Sequence, residues 1–133
     1  MKKQAILCIT LGILSSCNPS SQNKGTDAST DQTINRGNLL GKWLQPIPGM
    51  ENEKQGFELF DNGIAASLNI HTLQYDKWTV AKDTLFMWYH TEGVKQVSSG
   101  IDTLLIQKLD SSNLIIGSPN AKPEDFETYS KEK

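Results

Sequence analysis

Few residues in this chain could do chemistry, and their spacing limits what kind. There are two histidines, His71 and His90, and two cysteines, Cys8 and Cys17. His71 falls where a strand meets a turn, and His90 closes a strand rich in aromatic residues. A metal centre would have to bring both together with Asp76 or Glu92, a convergence that no local spacing encodes. The sequence contains no H-E-x-x-H, G-x-S-x-G or phosphate-loop pattern. Glu58 and Asp61 form a conceivable carboxylate pair, but Glu58 lies opposite Phe57 and Leu59 on its strand, which predicts solvent exposure. These residues predict no catalytic site, no metal site and no cofactor, and the chain is not expected to be an enzyme.

Cys17 has a different setting. The chain opens MKKQAILCITLGILSSCNPSSQNK, with two lysines, a greasy run from Ala5 to Leu14, two serines and then the cysteine. A membrane span needs about 20 apolar residues, so this run is too short. A positive start, a short apolar core and small residues at its close predict a signal peptide over residues 1–16. Leu14-Ser15-Ser16-Cys17 resembles the bacterial lipobox, which implies cleavage before Cys17. The resemblance further implies a thioether-linked diacylglycerol and an amide-linked acyl chain such as palmitate. Each buried methylene adds roughly 0.8 kcal/mol, and two or more chains hold firmly. Cys17 is thus expected to be a membrane anchor, with membrane lipid as its partner. Cys8 would be discarded with the leader, leaving no pair for an intrachain disulfide. No acidic run follows Cys17, which points to the periplasmic face of a bacterial outer membrane, with the cell surface as the alternative.

Residues 17–37 follow as the lipidated cysteine and a flexible tether rich in Ser, Thr, Asn, Gln and Asp. Such a segment buries too little apolar surface to offset the cost of ordering it. About 20 flexible residues give an excursion of ~25 Å. What remains of the 133 residues suits one small domain with one core. The formal net charge is -2, with no basic run, so nucleic acid is not an expected partner.

The elements that must position any site are short. Leu40–Leu44 reads as an opening strand ended by Pro46 and Pro48, and Gly49–Gln55 as a polar loop. Gly56–Phe60 and Ile64–Ile70 flank Asp61-Asn62-Gly63, a strong hairpin signal. Leu73–Val80 is a strand whose Tyr75 and Trp78 differ by three, which predicts a bulge or a turn between them. Thr84–His90 follows, with Leu85, Met87 and Tyr89 on one face and Phe86, Trp88 and His90 on the other. Val94–Val97 reads as a short edge strand, Ile101–Leu109 as a strand and Leu114–Ile116 as the last firm one. Residues 119–133 read as a charged tail that Phe126 and Tyr129 could dock. Seven or eight antiparallel strands must hide their edges, either by closing into a barrel or by packing as a two-sheet sandwich.

Gly41-Lys42-Trp43 resembles the G-x-W of lipocalins. The longer run through Gln55-Gly56-Phe57-Glu58-Leu59, Asp61 to Trp78, Asp83-Thr84-Leu85 and Asp102-Thr103-Leu104 resembles the lipocalin-like lipoproteins common in Bacteroides and relatives. That resemblance implies an all-β, lipocalin-like β-barrel over residues 38–118, with Trp43 closing one end, and almost no activity. It also implies a late basic residue over that tryptophan. The one arginine, Arg36, precedes the domain, so Lys108 is the expected substitute.

Aromatic side chains offer large apolar area with a polar edge, which suits cores and binding sites alike. Trp43, Tyr75, Trp78, Phe86 and Trp88 are therefore the candidate lining of a ligand cavity. The expected function is binding of a small apolar ligand by a tethered barrel. The alternative is an accessory lipoprotein that contacts another envelope protein and has no cavity.

Overall fold

Apolar and polar residues alternate between glycine- and asparagine-rich turns, and each alternating run becomes a strand. The computed structural model describes residues 33–133. The signal peptide expected over residues 1–16, Cys8, Cys17 and most of the expected tether lie outside the described residues. The strands are β1 (Gly41–Ile47), β2 (Met50–Leu59), β3 (Ala65–Leu68), β4 (Leu73–Ala81), β5 (Thr84–Thr91), β6 (Ser99–Leu109), β7 (Asn113–Gly117) and β8 (Glu127–Lys131). They form one antiparallel sheet in the order β3-β2-β1-β8-β7-β6-β5-β4.

The sheet curls until β3 and β4 meet, giving a nearly closed barrel rather than a sandwich. No regular ladder joins that seam. Instead Trp78 N donates to Gly63 O at 2.9 Å, and the Ser67 hydroxyl takes the place of a ladder. It donates to Leu73 O at 2.8 Å and accepts from Tyr75 N at 2.9 Å. A small polar side chain on the inner face of β3 thus satisfies backbone groups that an open edge would leave unpaired.

Two bulges turn the strands. The β4 register shifts between Tyr75 and Lys77, so Tyr75 and Trp78, three apart, both point inward. β6 shifts between Ile106 and Lys108, which brings Ile106 and Leu109 to the core in the same way. The Asp61-Asn62-Gly63 turn forms as its sequence predicts. Gly63 adopts φ 87° and the Asn62 side chain accepts from Ile64 N at 3.1 Å.

Several boundaries differ from the sequence reading. β1 runs through Pro46 to Ile47. β8 pairs with β1 only at Trp43 and Leu44, so Pro46 has one flank free, where a missing N–H is tolerated. Most of the Gly49–Gln55 loop belongs to β2, which pairs with β1 through Lys54 opposite Pro46 and, after a register shift, Met50 opposite Ile47. Val94–Val97 is not a strand. It lies in a connection closed by Thr91 N to Ser98 O at 2.8 Å. The region read as a tail supplies β8, which pairs with both β1 and β7, so the β domain extends beyond residue 118. The tether ends earlier than residue 37. Ile34 packs on the core, and a short 3₁₀ turn spans Arg36–Leu39.

The core fills one end of the barrel. Leu39, Trp43, Phe57, Leu59, Leu85, Met87 and Leu114 are its fully buried side chains. Trp43 Nε1 donates to Leu39 O at 2.8 Å, so the indole closes the end without an orphaned donor. Lys131, not Lys108, lies over Trp43, its Nζ 5.2 Å from the ring centroid; Lys108 instead faces Asp110 at 3.7 Å. Gly41 has φ 119°, and a Cβ there would lie 2.9 Å from Lys131 Cε. The glycine of Gly41-Lys42-Trp43 therefore makes room for the lysine stem. Arg36 covers the second buried indole, 4.3 Å from the Trp78 centroid, and reaches Asp61.

Candidate functional site

The inner faces of the strands do not stay apolar along their whole length. Away from Trp43, β6 turns Asp102 inward ahead of Leu104 and Ile106, and β8 turns Glu127 inward two residues before Tyr129. Polar groups at these positions prevent the core from closing on itself, and a recess of about 460 Å³ opens there. Phe57, Tyr75, Leu104, Ile116 and Tyr129 make its aromatic and aliphatic floor, and Asp102, Asp125 and Glu127 bring its carboxylates.

The segment after β7 forms the rim. Gly117 leaves room for the Phe126 ring, which a Cβ there would meet at 2.8 Å and push aside. Phe126 thereby holds the turn Pro123–Asp125 over the barrel's open end.

Three rings brace one another around the floor. Phe57 meets Tyr75 edge-on at 6.0 Å and Tyr129 at 5.0 Å between centroids. Each tyrosine hydroxyl is matched to a carboxylate. Tyr75 donates to Asp102 Oδ2 at 3.1 Å, and Tyr129 donates to Glu127 Oε2 at 3.2 Å while accepting from Gln45 Nε2 at 3.3 Å. Burial, and then the Asp102 carboxylate, push the Tyr75 hydroxyl far above the ordinary phenol range. Burial, and then Glu127, do the same to Tyr129. Both phenols therefore remain neutral donors across the pH range in which proteins fold.

The aromatic residues picked out by sequence separate into three groups. Tyr75 lines the recess. Trp43 and Trp78 are sealed in the core, and Trp78 Nε1 donates to Phe60 O at 2.9 Å. Phe86 and Trp88 line neither, because they stand on the outer face of β5, opposite Leu85 and Met87, with Lys77 Nζ 4.8 Å from the Trp88 centroid. Phe57, Tyr129, Asp102 and Glu127 belong to the site and were not among the candidates. Period-two counting back from Leu104 and Ile106 marks Asp102 as inward, and Glu127-Thr128-Tyr129 carries the same alternation.

His90 is drawn into a cluster on the outer surface. Its Nδ1 lies 2.9 Å from Asp76 Oδ2 and its Nε2 lies 2.9 Å from Glu92 Oε1, an arrangement that only the doubly protonated ring satisfies on both sides. Asp76 is the residue inserted by the β4 bulge, which is why it can reach across. His71 is not part of the cluster; it sits in the turn before β4, its carbonyl accepting from Gln74 Nε2 at 3.3 Å. Among the described residues, no group of three His, Cys, Asp or Glu side chains is arranged to hold a metal ion. Glu58 and Asp61 do not act together, since Asp61 is engaged by Arg36.

The hydrogen bonds to Asp76 and then Glu92 raise the His90 pKa above 6.5. A raised folded-state value means that protonation favours the fold. The stabilisation is complete below the unfolded value and is lost as pH rises through the folded one. In an NMR titration, His90 is expected to titrate above 6.5, and Asp76→Asn is expected to bring it down. The thermal midpoint should fall as pH rises through that range in the parent chain and stay flatter in His90→Gln.

Comparison with known proteins agrees with this architecture. A family model described as lipocalin-like matches residues 35–132. A crystal structure of a lipocalin-like protein from Bacteroides thetaiotaomicron VPI-5482 is similar, with a TM-score of 0.64 and 28% sequence identity over 71% of this chain and 97% of that one. No curated protein matches the chain. The matched span runs from the 3₁₀ turn beneath Trp43 to the end of β8, which takes in every strand of the barrel; the chain belongs to the lipocalin-like family.

Proposed function

We propose that this chain is a lipid-anchored lipoprotein of the bacterial cell envelope whose barrel binds a small molecule in the recess at its open end. The observation that carries the reading is the recess itself. Its volume of about 460 Å³ falls in the range of small-molecule sites, roughly 300–1,000 Å³. Its lining is also of the right kind, an aromatic floor with a few convergent polar groups. No catalytic step is assigned to it. The anchor rests on Leu14-Ser15-Ser16-Cys17 and its flanks, which support acylation of Cys17 at the periplasmic face of the outer membrane.

Two experiments test the two halves. Calorimetric titration of the full chain against small aromatic compounds should give saturable binding that Leu104→Trp, which fills the recess, abolishes without unfolding the barrel. Binding untouched by that variant would rule the recess out. Mass spectrometry of chain extracted from membranes should find Cys17 as an acylated N-terminus, whereas a free thiol there would remove the anchor.

A second reading, contact with an envelope protein, is favoured by the outer face of β5 and β6. Trp88 lies opposite Ile101 there, and Ile101 and Val97 are 51% and 73% exposed.

A further inference from the structure

The small-molecule reading leaves the chemical class of the ligand open, and the lining of the recess narrows it. The floor is built from three aromatic rings, Phe57, Tyr75 and Tyr129, braced edge-on and tilted against one another. Asp102, Asp125 and Glu127 stand around them, and no lysine, arginine or histidine is among the described residues that line the recess. The hydrogen bonds do not cancel this excess of negative charge. Tyr75 and Tyr129 each donate one proton to one carboxylate oxygen, and a neutral phenol disperses a carboxylate's charge without removing it. The site is therefore a concave surface, more polar than apolar, with an aromatic floor and anionic groups that no lining side chain neutralises.

We propose that the recess selects a small organic cation, an ammonium group on an apolar body, seated against Tyr75, which the buried Phe57 and the nearly buried Tyr129 back from beneath, with Asp102 and Glu127 as its counter-charges.

Each part of the lining then has a role. Aromatic faces attract a cation through the ring quadrupole, more strongly where water is excluded. The carboxylates supply charge-assisted acceptors for N–H donors. Leu104 and Ile116 take the apolar body. A fatty-acid or other anionic amphiphile would bring a second negative charge to Asp102 and Glu127 and is disfavoured. A bare metal ion fits poorly as well, since the recess is far larger than an ion and, among the described residues, its carboxylates do not converge into a group that could hold one. This inference rests on the preceding reading that the recess binds a small molecule.

Three probes of matched size separate charge from shape: 2-phenylethylamine, 2-phenylethanol and 3-phenylpropionate, positive, neutral and negative at pH 7. Calorimetry on the full chain at low salt is expected to rank the amine at least tenfold tighter than the alcohol, with the carboxylate weakest. Asp102→Asn and Glu127→Gln keep shape and hydrogen-bond acceptors while removing charge. Each should weaken the amine about tenfold and leave the alcohol within twofold, and added salt should weaken the amine alone. Equal affinity for amine and alcohol, or preference for the carboxylate, would overturn the charge assignment while leaving a small-molecule site. No binding of any probe would overturn both. Should either variant fail to fold by circular dichroism, the three-probe ranking and the salt dependence in the parent chain still decide the matter.

Discussion

Removing residues 127–133 should unfold the domain. β8 is only five residues long, yet it is the strand that joins β1 to β7. Its loss exposes a ladder edge on each neighbour and deletes Tyr129, which is 8% exposed and packs on Phe57. Lys131 goes too, and with it the cover of Trp43. Two bare edges in a small sheet leave nothing to close the barrel and invite pairing with other chains. Circular dichroism should show loss of the cooperative thermal transition, and gel filtration should show aggregates or an expanded chain. A truncated chain that melts cooperatively near the parent midpoint would mean that β8 is an accessory and not a stave of the barrel.

Replacing Trp43 by alanine is the second large effect. The indole is fully buried, donates to Leu39 O and carries Lys131 above it. Loss of a buried tryptophan costs about 3–5 kcal/mol through transfer and cavity terms. For a domain of this size, that corresponds to a fall of at least about 12 °C in thermal midpoint. Trp43→Phe separates the parts. It keeps most of the apolar area but leaves the Leu39 carbonyl without its donor, at a cost of about 1–3 kcal/mol. Thermal melts should therefore order the parent above Trp43→Phe and Trp43→Ala lowest. If alanine were tolerated as well as phenylalanine, the end would not be sealed by this side chain.

Local chemistry made much of this fold legible. Asp61-Asn62-Gly63 specifies its hairpin through a left-handed glycine and an asparagine that can bond its own backbone. The three-residue step from Tyr75 to Trp78 announces the β4 bulge, because two inward residues cannot otherwise be an odd number apart. The split of β5 into a core face with Leu85 and Met87 and an outer face with Phe86 and Trp88 follows from period two, although the period alone does not say which face is inside. β8 was hidden for a physical reason. Glu127-Thr128-Tyr129-Ser130-Lys131 contains one large apolar residue, so its strand state comes from the two templates on either side and not from its own composition.

The site was harder to read than the frame. Tyr75 stood out as an aromatic residue on a strand, but Asp102 and Glu127 are polar at inward positions, where an amphipathic pattern expects apolar ones. Such violations mark functional sites more often than errors of folding. Lys131 and Arg36 were equally invisible, since each acts on a tryptophan far away in sequence. Lys131 reaches Trp43 across the β1–β8 pairing, and Arg36 reaches Trp78 from the turn that precedes the barrel. The long stems of both side chains lie against apolar surface while their charges remain near solvent.

Whether the end of the barrel away from Trp43 is a binding recess is decided by NMR shift mapping of the full chain titrated with 2-phenylethylamine. Saturable shifts are expected at Phe57, Tyr75, Leu104, Ile116 and Tyr129, with Trp88, Val97 and Ile101 unmoved. Shifts confined to Trp88, Val97 and Ile101, with Tyr75 and Tyr129 silent, would contradict the recess reading and place recognition on the outer face instead.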